Sequence, residues 1–292
     1  MNENLMSAIR MRCQPLAPRS TDAEPNLKRL PEIRAVLFDI YGTLMISASG
    51  DIGSDAGDHR EQALADVATS FGFELALDAS SGMEAFESLI RKEHALSRER
   101  EIRYPEVDIV EIWRQFLHEH SNWRPTDDQL RSVALEFELR VNPTWPMPHC
   151  EVMLEQLSAA GRVLGIVSNA QFFTPLLFTS LIGKSLDQLG FRSNLSYFSF
   201  EHGRAKPGEW LYAQASRKLA EEGIAAAETL FVGNDMLNDI AAARAVGFRT
   251  ALFAGDDRSL RWRTDDERVH GVEADIVITD LLQLTDCLNI IA

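Results

Sequence analysis

The strongest constraint on this chain is a series of short apolar runs that stop abruptly at a polar residue or glycine. The first covers residues 34–39 (RAVLFD); later ones cover 162–168 (RVLGIVS), 229–233 (TLFVG) and 249–253 (RTALF). A continuous apolar run of this length suits a strand buried on both faces of a parallel sheet. Each later run follows a helix-like stretch, such as residues 151–160 with Gly161 as their stop. Alternating helix and buried strand predicts an α/β fold, a parallel sheet with helices on both faces. Functional groups belong at the carboxyl ends of such strands. Residues 197–200 (YFSF) are a weaker strand candidate.

The stretch between the first two runs has a different texture. Residues 57–142 carry only helical patterns. Ser81 with Glu84 and Thr126 with Gln129 fit capping boxes, and Asp108 with Glu111 is similar, with Asp in the cap position. Ile109, Ile112, Trp113 and Phe116 share one helix face, a pattern that suits a core. The expected division is an N-terminal arm (1–32), a core made of 33–47 and 143–292, and an all-helical insertion over 48–142. The second linker of that insertion is residues 142–148 (NPTWPMP). The arm, rich in Pro, Arg and polar residues, reads as a loose tail.

Charge narrows the function. A net charge of −15 without a basic stripe argues against nucleic acid as a partner. A small anionic substrate stays compatible, because a few local cations and helix ends can make a positive pocket. No apolar run reaches the roughly 20 residues that cross a bilayer, and the N-terminus lacks the apolar stretch of a secretory signal. Cys13, Cys150 and Cys287 are far apart with no CxxC pair, which suits a reduced compartment. The expectation is a cytoplasmic protein without a membrane partner.

Four segments carry chemistry. Asp39 ends the first run, and Gly42 allows the sharp turn that exposes it. A carboxylate there can attack phosphorus or carbon, or can simply cap the turn. Ser168 and Asn169 end the second run, where a hydroxyl and a backbone amide can stabilise an oxyanion or begin a turn. Lys206 precedes Pro207, which suits a first helical turn and would set the lysine at a helix N-terminus. Asn234, Asp235, Asn238 and Asp239 follow the third run. They supply oxygens for a hard cation such as Mg²⁺, or a helix N-cap, or both.

In this order the four segments resemble the haloacid dehalogenase-like (HAD) hydrolase superfamily. Residues 38–44 (FDIYGTL) look like its first motif, Ser168-Asn169 its second, Lys206-Pro207 its third, and 233–239 its fourth. The resemblance runs from about residue 33 to the C-terminus, including residues 274–280 (ADIVITD) as a closing strand and turn. It implies a Rossmann-like sheet and a C1-type helical cap formed by the insertion. It also implies roles: Asp39 as nucleophile, Thr43 supporting its loop, Ser168 binding the transferring group, and Lys206 neutralising charge. Mg²⁺ would meet Asp39, the Tyr41 carbonyl and Asp235, with Asn234 or Asp239 in support.

One position departs from the phosphatase pattern. The family's phosphatases carry a second Asp two residues after the nucleophile as proton donor; this chain has Tyr41. A phenol of ordinary pKa about 10 is a weak substitute for that acid. The same D-x-Y-G-T-L pattern resembles the 2-haloacid dehalogenases, in which halide leaves without a proton, and Tyr212 also falls where they place a tyrosine. Against them, Asp235 is metal-ready, and the first arginine after Tyr41 is Arg60. The expected function is a Mg²⁺-dependent phosphoester hydrolase acting on a small metabolite. The alternatives are a 2-haloacid dehalogenase and a catalytically weakened binding protein.

Overall fold

The structure, a computed structural model, describes residues 2–49 and 57–290. Eight strands form: β1 (Ala35–Phe38), β2 (Met45–Ser47), β3 (Thr144–Pro146), β4 (Val163–Ser168), β5 (Phe191–Phe198), β6 (Thr229–Gly233), β7 (Arg249–Phe253) and β8 (Ile276–Ile278). Six of them make one parallel sheet in the order β5-β4-β1-β6-β7-β8. The expected apolar runs therefore lie side by side, with β1 central. The closing strand is confined to three residues. The weak candidate at 197–200 is the end of a longer strand, and residues 199–202 turn into helix instead.

β1 shows why its run is unbroken. Val36 and Phe38 join one apolar cluster with Met153, Leu157 and Phe178, while Ala35 and Leu37 join another with Leu211, Ala215 and Leu219. Both pleat faces are covered, so no polar residue alternates in. The first cluster is roofed by α6 (Cys150–Ala159) and α7 (Thr174–Leu181), the second by α9 (Trp210–Glu221). Short helices α8 (Ser199–His202), α10 (Ala242–Ala245) and α11 (Gln283–Cys287) complete the layers.

The helices of the insertion are α2 (Gly57–Phe71), α3 (Ala79–Glu99), α4 (Ile109–His120) and α5 (Asp127–Val141). They close on a cluster of their own, in which Trp113 meets Phe86 at 4.8 Å and Phe137 at 5.4 Å between ring centroids. Thr126 and Gln129 form the expected capping box, and Asp108 caps α4 through Val110 N–H. Ser81 does not cap α3. The helix begins earlier, and Asp78 accepts from Ser81 N–H, because an extended residue ahead of the first turn is what a cap requires. Residues 50–56, at the start of the insertion, lie outside the described residues. β2 and β3 pair antiparallel where the insertion leaves and rejoins the sheet, with Ile46 opposite Trp145.

The N-terminal segment differs from expectation: it is packed. α1 (Asn2–Arg12) buries Leu5 and Ile9, four residues apart on one face, and lies against α7 and α5. The residues after it follow the sheet edge, with Asn26 bridging Val277 and Thr21 Oγ1 donating to the Ala254 carbonyl at 2.7 Å. Its polar composition concealed a two-residue apolar anchor and a run of backbone hydrogen bonds. No helix among the described residues is long and apolar enough to cross a membrane.

Candidate active site

Strand register brings the predicted groups together. Phe38 pairs with Ile166 on one side and Val232 on the other. Asp39 therefore leaves the sheet between Ser168 and Asn234, at the carboxyl edge of three adjacent strands. The turn after Asp39 needs Gly42, whose φ is +81° and whose missing Cβ would lie 2.5 Å from Ser259 Cβ. Thr43 Oγ1 donates to Asn234 Oδ1 at 3.0 Å, tying that turn to the end of β6.

Asp39 is 7% exposed. Ser168 Oγ donates to its Oδ1 at 2.8 Å, and Lys206 Nζ reaches the same oxygen at 2.8 Å. Lys206 also donates to Asp239 Oδ1 at 2.6 Å. Lys206 is not at a helix N-terminus as expected; α9 starts only at Trp210. Its loop is fixed by Asn169, whose Oδ1 accepts from Lys206 N–H at 2.8 Å. Asn169 thus holds the lysine loop with its side chain. Gly233 is equally constrained, because a Cβ there would lie 2.4 Å from the Asp239 carboxyl.

The electrostatics follow from this burial. For Lys206 the largest influence, desolvation, favours the neutral amine. Coulomb attraction and hydrogen bonds from Asp239 and Asp39 outweigh it and hold the ammonium charged well above its ordinary range. For Asp239, desolvation pushes the carboxyl up, Lys206 pulls it down, and Asp39 and Asp235 push it up again, with a net rise. Tyr41 sits at the position of the missing acid. Burial pushes its phenol above its ordinary range, Glu138 adds to this when ionised, and it shares a 2.9 Å hydrogen bond with Thr174 Oγ1. Tyr212 lies fully buried beneath the site, its hydroxyl donating to the Asn238 carbonyl at 2.7 Å. It supports the fourth segment from below.

That segment is a π-helical turn, Met236–Ala241, capped by Asp235, which accepts from Leu237 and Asn238 N–H. Arg263 binds the same carboxylate through Nη2 at 2.7 Å and Nε at 3.1 Å. The donor chemistry suits a hard cation: the Asp39 and Asp235 carboxylates and the Tyr41 carbonyl are oxygens of the kind that Mg²⁺ takes alongside water. The buried Ser259 hydroxyl, on the same cavity wall, has no hydrogen-bond partner. Asn234 and Asp239, expected as supporting ligands, are engaged elsewhere. Asn234 spans Thr43 and the Ser259 carbonyl, and Asp239 spans Lys206 and Asp235 N–H. Their short side chains are spent on holding two loops. Among the described residues, no three acidic, His or Cys side chains form a metal-binding group.

Above Asp39 lies a cavity of about 220 Å³, with Tyr41, Lys206 and Arg261 on the sheet side and Glu106 and Glu138 on the helical side. Gln171 joins the two sides: its Nε2 donates to the Val107 carbonyl at 2.9 Å, and its Oε1 accepts from Ile109 N–H at 3.1 Å. Glu106, Glu138, Gln171, Arg261 and Arg263 were not singled out from sequence. Arg258, Arg261 and Arg263 form a basic run beyond β7 that could have flagged the last two. Nothing in the helical pattern marked the others. Arg60 pairs with Glu87 at 2.6 Å. A larger groove of about 720 Å³ lies along α3 and α4, and Glu106 borders both it and the cavity over Asp39.

The site is thus a carboxylate at a strand tip, with a hydroxyl and an ammonium on one of its oxygens. The model of the haloacid dehalogenase-like hydrolase family matches residues 33–247, and the chain belongs to that family. Among its relatives is a ribulose-1,5-bisphosphate 5-phosphatase from Halopiger xanaduensis, 30% identical over 145 residues. That match covers 49% of this chain and 56% of the relative's length. The fold is shared with a 2-haloacid dehalogenase from Pseudomonas syringae pv. tomato DC3000 (TM-score 0.54, 20% identity, 88% of this chain and 98% of that one). It is shared equally with a HAD phosphatase from Thermococcus onnurineus (TM-score 0.54, 19% identity, 88% and 99%).

Proposed function

We propose that the protein hydrolyses a phosphomonoester of a small anionic metabolite, with Asp39 as the nucleophile. The observation that carries this reading is the convergence of Ser168 and Lys206 on Asp39 Oδ1, which leaves Oδ2 for attack. Asp39 Oδ2 bonds to phosphorus as the ester oxygen departs, and water then releases phosphate from the aspartyl-phosphate. Ser168 and Lys206 hold the attacking carboxylate in place, and the Lys206 charge offsets the negative charge of the transferring group. Asn169 and Asp239 position Lys206, and Thr43 and Asn234 position the turn.

Asp39, Asp235 and the Tyr41 carbonyl would hold Mg²⁺, which when bound neutralises phosphoryl charge as a Lewis acid. Helices α2 to α5 act in this reading as a cap that closes over the cavity and selects the substrate. Their own apolar cluster and the Gln171 tie support that division. Buried free thiols at Cys13, Cys150 and Cys287 suit a reducing cytoplasm.

A second reading, a 2-haloacid dehalogenase, is favoured by one observation, the non-acidic Tyr41. Against it, Arg60, the candidate anchor for a substrate carboxylate, is paired to Glu87. A panel of phosphomonoesters and 2-haloacids, each assayed with Mg²⁺ and with EDTA, separates the two. Phosphate release that EDTA abolishes is the expected result. Halide release that survives EDTA, without phosphate release, would replace the first reading with the second.

A further inference from the structure

We propose that Glu138, on α5, is the proton donor to the leaving group, standing in for the acid that position 41 lacks. This rests on the phosphoester reading. An alkoxide leaving group needs a proton, and Tyr41 does not supply it: its phenol is engaged with Thr174 and pushed to higher pKa. The donor must therefore come from another wall of the cavity above Asp39. Two carboxyl groups line that wall, Glu106 and Glu138.

Their surroundings separate them. Glu106 spends both oxygens on structure, Oε2 accepting from Ser199 Oγ at 2.7 Å and Oε1 from Val107 N–H at 2.9 Å. Ser199 Oγ in turn accepts from Ala170 N–H at 2.9 Å, so Glu106 fixes the loop beside the second segment. Glu138 has one such partner: Asn142 Nδ2 donates to its Oε1 at 3.3 Å. The amide of Asn142 is oriented by Ser47 Oγ, which donates to Asn142 Oδ1 at 2.8 Å, so the contact is held from the β2–β3 ribbon. Oε2 of Glu138 stays available to the cavity. Arg60, the cation whose field reaches Glu138, is itself bound to Glu87. Burial pushes the Glu138 carboxyl up, against the smaller pull of Asn142 and Arg60, which favours the protonated acid.

The proton balance closes within one cycle. As the bond from phosphorus to the ester oxygen breaks, the Glu138 proton passes to that oxygen, leaving an alcohol and a Glu138 carboxylate. Water then attacks the aspartyl-phosphate and keeps both of its hydrogens on the departing dihydrogen phosphate; the proton this product gives up to solvent matches the one Glu138 takes back.

The test compares an alkyl phosphomonoester with p-nitrophenyl phosphate, whose leaving anion is stable without a proton. The Glu138→Gln variant is expected to lose about 100-fold in kcat on the alkyl ester and less than about threefold on the aryl ester. Retained aryl turnover also shows that the variant is folded. If Glu138→Gln does not fold, Glu138→Asp keeps the acid on a shorter arm and is expected to lose rate on the alkyl ester alone. Equal losses on both esters, or none on either, would overturn the assignment, as would the same split in Glu106→Gln. A wild-type enzyme idle on both esters would instead overturn the phosphoester reading, and this inference with it.

Discussion

The two walls of the cavity over Asp39 are built on different principles. On the sheet wall, Asp39, Lys206, Ser168 and Asp239 are buried, and each is tied to at least one other. Positions there are set by strand ends and by two glycines with no room for a side chain. On the helical wall, Glu138 has a single local contact, from Asn142 four residues on, and Gln171 reaches across from the sheet side to the Val107 carbonyl. The sheet wall fixes a charge pattern, whereas the helical wall can change its side chains without disturbing that pattern.

Removing the proposed nucleophile is the sharpest way to set the walls apart. Asp39→Asn should lower phosphoester turnover by at least about 10⁴-fold while the circular dichroism spectrum stays native. Lys206→Met should cost both rate and stability, because it leaves Asp39 and Asp239 buried without their cation. Urea unfolding should show a loss of about 3–5 kcal/mol, and a loss below about 1 kcal/mol would break the view that this wall is held by charge.

Smaller effects probe the edges of the comparison. Asp235→Asn should weaken Mg²⁺ binding in a calorimetric titration, because it removes the charge of one of the two carboxylates that would hold the cation. Arg263→Gln should act in the opposite sense and tighten Mg²⁺ by less than about tenfold, since the guanidinium already occupies the Asp235 carboxylate. Unchanged Mg²⁺ binding in both variants would remove Asp235 from the cation site. Gln171→Ala should cost about 1–2 kcal/mol and speed hydrogen exchange at Ile109 N–H, the bond it makes to the helical wall. Unchanged exchange there would show that Gln171 does not tie the walls together.

The contrast also explains what was legible in the sequence. Asp39, Ser168 and Asn234 could be found because an unbroken apolar run announces a buried strand, and its last residue must sit at the sheet edge. Lys206 carried no local signal and gained meaning only from its order among the other segments. Its expected helix N-terminus was wrong because Pro207 lies in the loop before Trp210 and not in the first turn. Glu138 was silent for a physical reason. On α5 it follows the polar positions of an ordinary amphipathic helix, and nothing local says that this face meets a cavity. The packed α1 was hidden in the same way, since two apolar residues among charged ones carry little periodic signal.

The central claim is that Asp39 bonds to the substrate, and acid-quench mass spectrometry tests it directly. Enzyme with Mg²⁺ and a phosphomonoester is quenched during turnover, and the peptide containing residue 39 is weighed and fragmented. The account predicts one phosphoryl group on Asp39 and none in Asp39→Asn. Turnover at the full rate in Asp39→Asn, with no adduct on the wild-type peptide, would contradict it.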